Sequence, residues 1–488
     1  VGTVAARSTS AFALAVAACF AWASCSDTPA ATTSASGTSA PGSPVASDAA
    51  ERARQEALDR DFPMHGLVTG LQISIRKGPS PDATSLGSLR VGSRVRAKTE
   101  RTRTPTCATG WVALAPMGFA CAGEGITLAE TPPESELAVP APSREAALPY
   151  DYYFIKDIGT PEYHQLPSRD QQRDVAAWRD RYGEILARDP AKALRFARGE
   201  LPNEPRKPPI LRGLLDRGFF VAVAAVETRA QRRFARTIRG RFIKDSQLEQ
   251  RRGASFHGVE LSPTATLPIA WAIRETRPMT KLTLPDGAIR FAEDREHPAI
   301  ARLDLVPWSA RERVDGKLLH KLADGRYVRD WHLAVAERIE PPFPVEANEP
   351  WVHVDRGEQT LVVYRGTEPI YATLVSTGLE GHETPLGTFT IRDKRLADTM
   401  SAIGADVEND RYSIEDVPWT QYFSGSFALH GAFWHERFGL RRSHGCVNLA
   451  PLDAHWVFNT TWPELPNGWH GITTDRTGLP ASRVHITD

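Results

Sequence analysis

The chain carries no excess charge of either sign, because its 59 basic and 59 acidic side chains cancel. No global field therefore draws in a polyanion, and nucleic acid is not an expected partner. Beyond the first 25 residues it also lacks any apolar run long enough to span a bilayer, so a soluble ectodomain is expected. Cysteine is scarce, five in 488 residues, which makes each one informative. At this length one core is excluded, and at roughly 100 to 200 residues per domain the chain should hold two to four units.

The scarce features concentrate meaning at the N-terminus. Arg7 precedes an apolar run at residues 11–23, too short for a membrane span but suited to the h-region of a signal peptide, so export to the cell envelope is expected. Two processing routes are open. Ala21-Trp22-Ala23 reads as a cleavage site, whereas Trp22-Ala23-Ser24-Cys25 resembles a lipoprotein box and is preferred, with Cys25 lipidated after removal of residues 1–24. Residues 26–49, rich in Ala, Ser, Thr, Pro and Gly, cannot bury enough surface to fold, and a tether over 25–63 follows. The lipid anchor would be the membrane contact, with the body facing the periplasm, and no protein partner is expected.

Of the five cysteines, Cys19 falls in the leader and Cys25 carries lipid. Cys107 and Cys121 lie close together in one candidate domain, where a bridge in an oxidising compartment contributes about 3 kcal/mol. Cys446 is left unpaired. An unpaired thiol in an exported protein is exposed to oxidation, so it needs a reason to be there. Apolar packing is one reason, and chemistry is the other.

The fold class is mainly β and multidomain. Alternating runs at 72–76, 87–89, 93–97 and 110–113, parted by Gly78-Pro79 and Ser80-Pro81, predict a small β-barrel over 64–130. Its Ile75-Arg76-Lys77-Gly78-Pro79-Ser80, Val91-Gly92 and Gly110-Trp111-Val112 resemble bacterial SH3-like domains, which implies either wall-polymer binding or a spacer role. A proline-rich linker spans 131–149. The mixed α/β middle region, 150–345, contains a helix with Val175, Trp178, Tyr182 and Ile185 on one face, then a second helix opened by Asp189-Pro190. Two stretches, 240–248 and 325–333, align residue by residue and predict two related β-units. The run 229–252 is strongly basic, which marks either a solvated face or a contact for an anionic wall polymer. After the prolines at 341, 342, 344 and 350 the pattern becomes strand upon strand, at 351–355, 360–364, 369–376, 387–392 and 427–430, in a last domain over 349–488.

Within that domain, Ser443-His444-Gly445-Cys446-Val447-Asn448 follows His430-Gly431. Thiol chemistry needs a thiolate, and a histidine at the end of a neighbouring strand could supply the base once the chain returns through 434–442. Gly445 permits a tight turn whose N–H groups, those of Gly445 and Cys446, could face a developing oxyanion, with His444 as a third donor or as pocket lining. These residues, together with Val354-Asp355, Gln359-Thr360-Leu361, Val375-Ser376-Thr377-Gly378 and Thr384-Pro385-Leu386-Gly387-Thr388-Phe389, resemble the YkuD-type L,D-transpeptidase catalytic domain over about 350–468.

That resemblance implies peptidoglycan stem peptides as substrate and no cofactor. Cys446 would be the nucleophile, His430 its base and the Gly431 carbonyl an orienter of the base, with the Ser443 turn in support. The donor tetrapeptide would lose D-alanine, and the thioester would pass to a stem amine, water, a D-amino acid or a protein lysine. Many members of the family carry arginine where this chain has Asn448, which is either a substrate contact or a structural hydrogen-bonder. A zinc site built on His430, His435, His444 and Cys446 lacks a recognised ligand spacing. His435, His455 and His470 read as surface or packing residues. A papain-like or NlpC/P60-type peptidase would place cysteine before histidine, the reverse of the order here.

Overall fold

The computed structural model describes residues 44–134, 139–401 and 412–488. The leader, both processing motifs, Cys25 and most of the tether fall outside them. The end of the tether departs from expectation, since Pro44–Asp61 forms an 18-residue helix. From Glu51 onward its composition turns to Glu, Arg, Gln, Ala and Leu, which are strong helix formers. Of the compact unit Val1–Gln55 only the beginning of this helix is described. The second unit, Glu56–Asp488, holds everything else.

The first module does not close into the expected barrel. Its strands run in the spatial order Ile126–Ala129, Met64–Val68, Arg94–Thr104, Cys107–Leu114, Phe119–Cys121, Gln72–Arg76 and Ser85–Arg90, and the two end strands do not pair with each other. Ser85–Arg90 pairs instead with Gly471–Thr473 of the last domain, through Gly87 opposite Ile472 and Ser88 opposite Gly471. Backbone proximity explains the choice. A Cβ on Gly87 would stand 2.2 Å from the Gly471 carbonyl oxygen, so only glycine lets the two strands meet. One apolar cluster then runs from Val68, Ile75 and Val112 into Val352, Trp419 and Trp469, so the module shares a core with the last domain rather than hanging from it. The structure joins Cys107 to Cys121 by a disulfide.

The second half of the linker is a strap, not a free spacer. Arg144 donates to the carbonyls of Leu465 and Pro466 at 2.6 and 2.9 Å, and Trp419 donates through Nε1 to the Ala147 carbonyl at 2.7 Å.

In the middle region the helices Arg169–Leu186 and Pro190–Ala197 form where the periodicity places them. Ser168 and Gln171 close a capping box, and Asp189 caps the helix that begins at Pro190. The two aligned stretches adopt one backbone twice. Phe242–Lys244, a 3₁₀ turn at Asp245–Gln247 and Leu248–Arg251 are matched by Tyr327–Arg329, a 3₁₀ turn at Asp330–His332 and Leu333–Ala336.

The last domain stacks two sheets. One contains Glu368–Leu374, Thr360–Arg365, Pro350–Asp355, Arg483–Thr487 and Gly387–Thr390. The other runs from Gly471–Thr473 through Asp393–Ser401, Ser413–Ser424 and Phe427–Gly431 to Val447–Leu449. The helix Pro451–Thr460 covers it with Ala454, Val457 and Phe458. Its C-terminal end is held by the fully buried Lys394, whose Nζ donates to the carbonyls of Phe458, Thr461 and Pro463 at 2.6, 2.7 and 3.0 Å.

Three parts of the chain meet at one buried carboxylate. Arg90 of the first module reaches Asp416 Oδ1 at 2.8 Å, and Arg239 of the middle region reaches Oδ2 at 3.1 Å. Tyr152 donates to the Asp416 carbonyl at 2.5 Å. Asp416→Ala would leave the buried Arg90 without its anion and Arg239 with Glu415 alone, at 3.1 Å, so chemical denaturation should show a loss of about 3–5 kcal/mol. A loss below about 1 kcal/mol would mean that this ion triad does not hold the junction.

Candidate active site

Strand register brings the expected pair together. Phe427–Gly431 and Val447–Leu449 lie parallel, with Leu429 opposite Val447 and His430 opposite Asn448. Side chains alternate across a sheet, so His430 shares a face with Asn448 and with Cys446, two residues earlier on that strand's path. His430 donates from Nδ1 to the Gly431 carbonyl at 3.2 Å, which leaves Nε2 as the proton acceptor. The Cys446 thiol points to the Ser426 carbonyl at 3.8 Å, and the Ala428 N–H faces its sulfur.

Neither group is charged at rest. Burial lowers His430 to about 4, with the Gly431 carbonyl working against it, and burial pushes Cys446 up to about 11. Moving the proton from sulfur to nitrogen in the empty site is therefore uphill by on the order of 10 kcal/mol before the attraction of the resulting ions is counted. The site can act as a nucleophile only if proton transfer accompanies bond formation.

The turn before Cys446 is built differently from the sequence reading. Gly445 has φ +113°, and a Cβ there would lie 2.2 Å from the Phe427 ring, so glycine is required twice over. Its N–H, however, donates to Ser443 Oγ at 3.1 Å, and Ser443 Oγ donates to the Cys446 carbonyl. Gly445 N–H is therefore committed to the turn and does not serve an oxyanion; Cys446 N–H is the member of the expected pair that remains. His444 is exposed, its ring 4.7 Å from His382 and 5.8 Å from Tyr412.

The other motif segments serve as the frame for this turn. Ser376 and Asn448 exchange backbone hydrogen bonds at 2.9 Å, and Ser443 N–H donates to the Thr377 carbonyl at 3.0 Å. Thr384 Oγ1 accepts from Gly378 N–H at 3.0 Å. Gln359, buried, clasps Thr377 from both ends of its amide, at 2.6 and 2.8 Å.

Several residues at the site escaped the sequence reading. The return segment 434–442 is not simply polar: Phe438 is fully buried, and Trp434 stacks on the His430 ring at 5.6 Å. An aromatic four residues after His430 was the available signal. Of the two readings for His435, surface or packing, the second holds: it is half-buried and meets Asn448 at 2.9 Å. Arg437 N–H donates to His435 Nδ1 at 3.2 Å, so Nε2 carries the ring proton. A half-turn of the Asn448 amide presents Oδ1 to that proton and satisfies an oxygen that otherwise has no partner. Asn448 is thus a structural hydrogen-bonder that braces His435 beside the base. Tyr412 and Tyr422 are close enough to Cys446 for a thiolate there to raise both phenols, after burial as the main cause for each, with Asp398 also acting on Tyr422.

Two recesses lie nearby, neither of them lined by His430 or Cys446. A cleft of about 320 Å³ includes Tyr422 and Gly425, the latter beside Ser426. A cavity of about 550 Å³ is bounded by Trp434 and His435. Among the described residues no group of three or more His, Cys, Asp or Glu side chains is placed to hold a metal ion.

A neutral, half-buried thiol makes a testable signature. At pH 7 a small neutral alkylating agent should modify Cys446 roughly a hundred-fold more slowly than an ordinary exposed cysteine, with the rate rising about ten-fold per pH unit towards pH 11. Mass spectrometry of the intact protein reads the rate. A plateau reached by pH 7 would show a preformed thiolate instead.

A Bacillus subtilis (strain 168) protein, provisionally named L,D-transpeptidase YciB, is 27% identical over 122 residues, covering 22% of this chain and 59% of that protein. The chain thus spans about three-fifths of the length of that relative. Among solved structures, an L,D-transpeptidase from Stackebrandtia nassauensis is 23% identical, with 30% of this chain and 59% of that one covered and a TM-score of 0.21. L,D-transpeptidase 3 from Mycobacterium tuberculosis is 15% identical, with 43% and 79% covered and a TM-score of 0.23. Residues 349–468 match the YkuD family of L,D-transpeptidase catalytic domains. Residues 349–468, the stretch that holds both His430 and Cys446, are thus similar to the YkuD L,D-transpeptidase catalytic domain.

Proposed function

We propose that this protein is an exported peptidoglycan L,D-transpeptidase that works through a Cys446 thioester. The observation that carries the reading is the parallel pairing that sets Cys446 and His430 on one face, with His430 Nδ1 tied to the Gly431 carbonyl. As the Cys446 sulfur attacks the carbonyl of the third stem residue, its proton passes to His430 Nε2. Negative charge gathers on the former carbonyl oxygen, where the Cys446 N–H is a candidate donor. The C–N bond to D-alanine then breaks, and His430 returns its proton to the leaving amine. In the second half the acceptor amine forms the new C–N bond, gives a proton to His430, and the C–S bond breaks to regenerate the thiol.

Export and lipidation at Cys25 belong to the same proposal. What supports export is the Cys107–Cys121 disulfide, a bond that persists in oxidising compartments. The SH3-like character of residues 64–130 is likewise proposed, in an opened form whose free end strand is taken up by the last domain.

The test is incubation of the purified protein with disaccharide tetrapeptide, followed by mass spectrometry. Crosslinked dimer and an acyl adduct on Cys446 are expected, whereas tripeptide alone would mean an L,D-carboxypeptidase. Cys446→Ala should abolish the adduct, and His430→Gln should slow turnover by about 10²–10⁴-fold. Because burial holds His430 neutral down to about 4, kcat/KM should fall as pH drops through about 4 rather than near 6.5. Full activity in Cys446→Ala would overturn the mechanism.

A further inference from the structure

The cavity of about 550 Å³ lies where the middle region meets the catalytic domain. Gln250, Arg251 and Arg252 form one wall, and Trp434, His435 and Glu436 the other. The first wall is the end of the basic run noted in the sequence, on ground outside the matched residues 349–468.

Both walls are held in place. Gly253, at φ +76°, sits so close to the catalytic domain that a Cβ would be 2.6 Å from Pro451 Cγ, and Phe433 stacks on Tyr152 with centroids 4.0 Å apart. Trp434 is common to the cavity and the catalytic pair, since it also stacks on His430. His435, the next residue of the wall, is braced by Asn448, the register partner of His430. The cavity is therefore one side chain from the base. The other recess includes Gly425, next in sequence to Ser426, whose carbonyl meets the Cys446 sulfur.

Charge indicates what the cavity accepts. Arg251 is paired with Glu249 at 2.8 Å, whereas Arg252 is exposed and meets the neutral Gln250 Oε1 at 3.4 Å, so that partner leaves its charge uncancelled. Glu436 places a carboxylate on the opposite wall. A peptide with carboxylates at one end and an amine at the other fits that polarity, with the amine directed towards His430.

We infer that this cavity is the acceptor subsite, and that Arg252 of the middle region selects acceptors by binding their carboxylates. The inference rests on the transpeptidase reading above and deepens it: in the second half-reaction the amine must surrender a proton to His430, so the acceptor belongs on the base's side.

The test follows how the thioester partitions between acceptor and water, with the full chain, a tetrapeptide donor and a tripeptide acceptor at sub-saturating concentration. Arg252→Glu should lower the ratio of crosslinked product to hydrolysed product about ten-fold, Arg252→Lys should restore most of it, and amidating the acceptor's carboxylates should lower the wild-type ratio similarly. The acylation rate, read as adduct mass, is measured alongside. If Arg252→Glu partitions like the wild type while the adduct still forms, the subsite inference fails alone. An equal fall in acylation and crosslinking would overturn it too, as general damage. If the wild type forms no adduct, the transpeptidase reading falls and takes this inference with it.

Discussion

The architecture depends on a carboxylate that water does not reach. Asp416, 1% exposed, takes Arg90 on one oxygen and Arg239 on the other, and each of the three charges comes from a different part of the chain. A buried ion is tolerable only when its partners are present, so the first module, the middle region and the catalytic domain can be fully packed only together. Strand pairing agrees with that dependence. Ser85–Arg90 ends in Arg90 and lies on Gly471–Thr473, while Phe220, at the start of the middle region's longest strand, pairs with Ile414. The two junctions extend the sheet that carries His430.

Joining the parts in this way has a chemical consequence. Phe220 and Tyr152 of the middle region pack on Phe433, and Phe220 approaches Trp434 at 6.3 Å. Trp434 in turn covers the ring of His430, so the dry environment that keeps the base neutral is partly built by residues outside the catalytic domain. The same dryness raises Cys446. A neutral pair gives up the reactivity of a standing thiolate and gains protection from oxidation in the compartment proposed for it. In the proposed mechanism activation is then left to the substrate, whose developing oxyanion provides the charge that the resting site avoids.

Much of the catalytic domain was legible in the sequence because its motifs are local. The tight turn at Gly445 and the motif segment from Thr384 to Phe389 are each set by residues next to one another. Helices with a capping box or a first-turn proline were legible for the same reason, and so was the doubled strand, 3₁₀ turn, strand pattern. Non-local partners were not legible. The closed barrel failed because the mate of Ser85–Arg90 lies almost 400 residues away, and the strap at Arg144 reads as a linker until Leu465 and Pro466 receive its guanidinium. Asn448 and His435 were assigned apart because neither has meaning without the other.

The sequence by itself determined which thiol and which histidine are proposed as nucleophile and base, and their order along the chain, since a lone thiol in a Ser-His-Gly-Cys turn after a His-Gly strand end is defined by neighbours a few bonds away. Only the tertiary structure decided what shields the histidine, what meets Asn448, and which distant arginines meet Asp416. Those depend on desolvation and on contacts between residues far apart in the chain, and burial is a property of the assembled core that no local stretch contains.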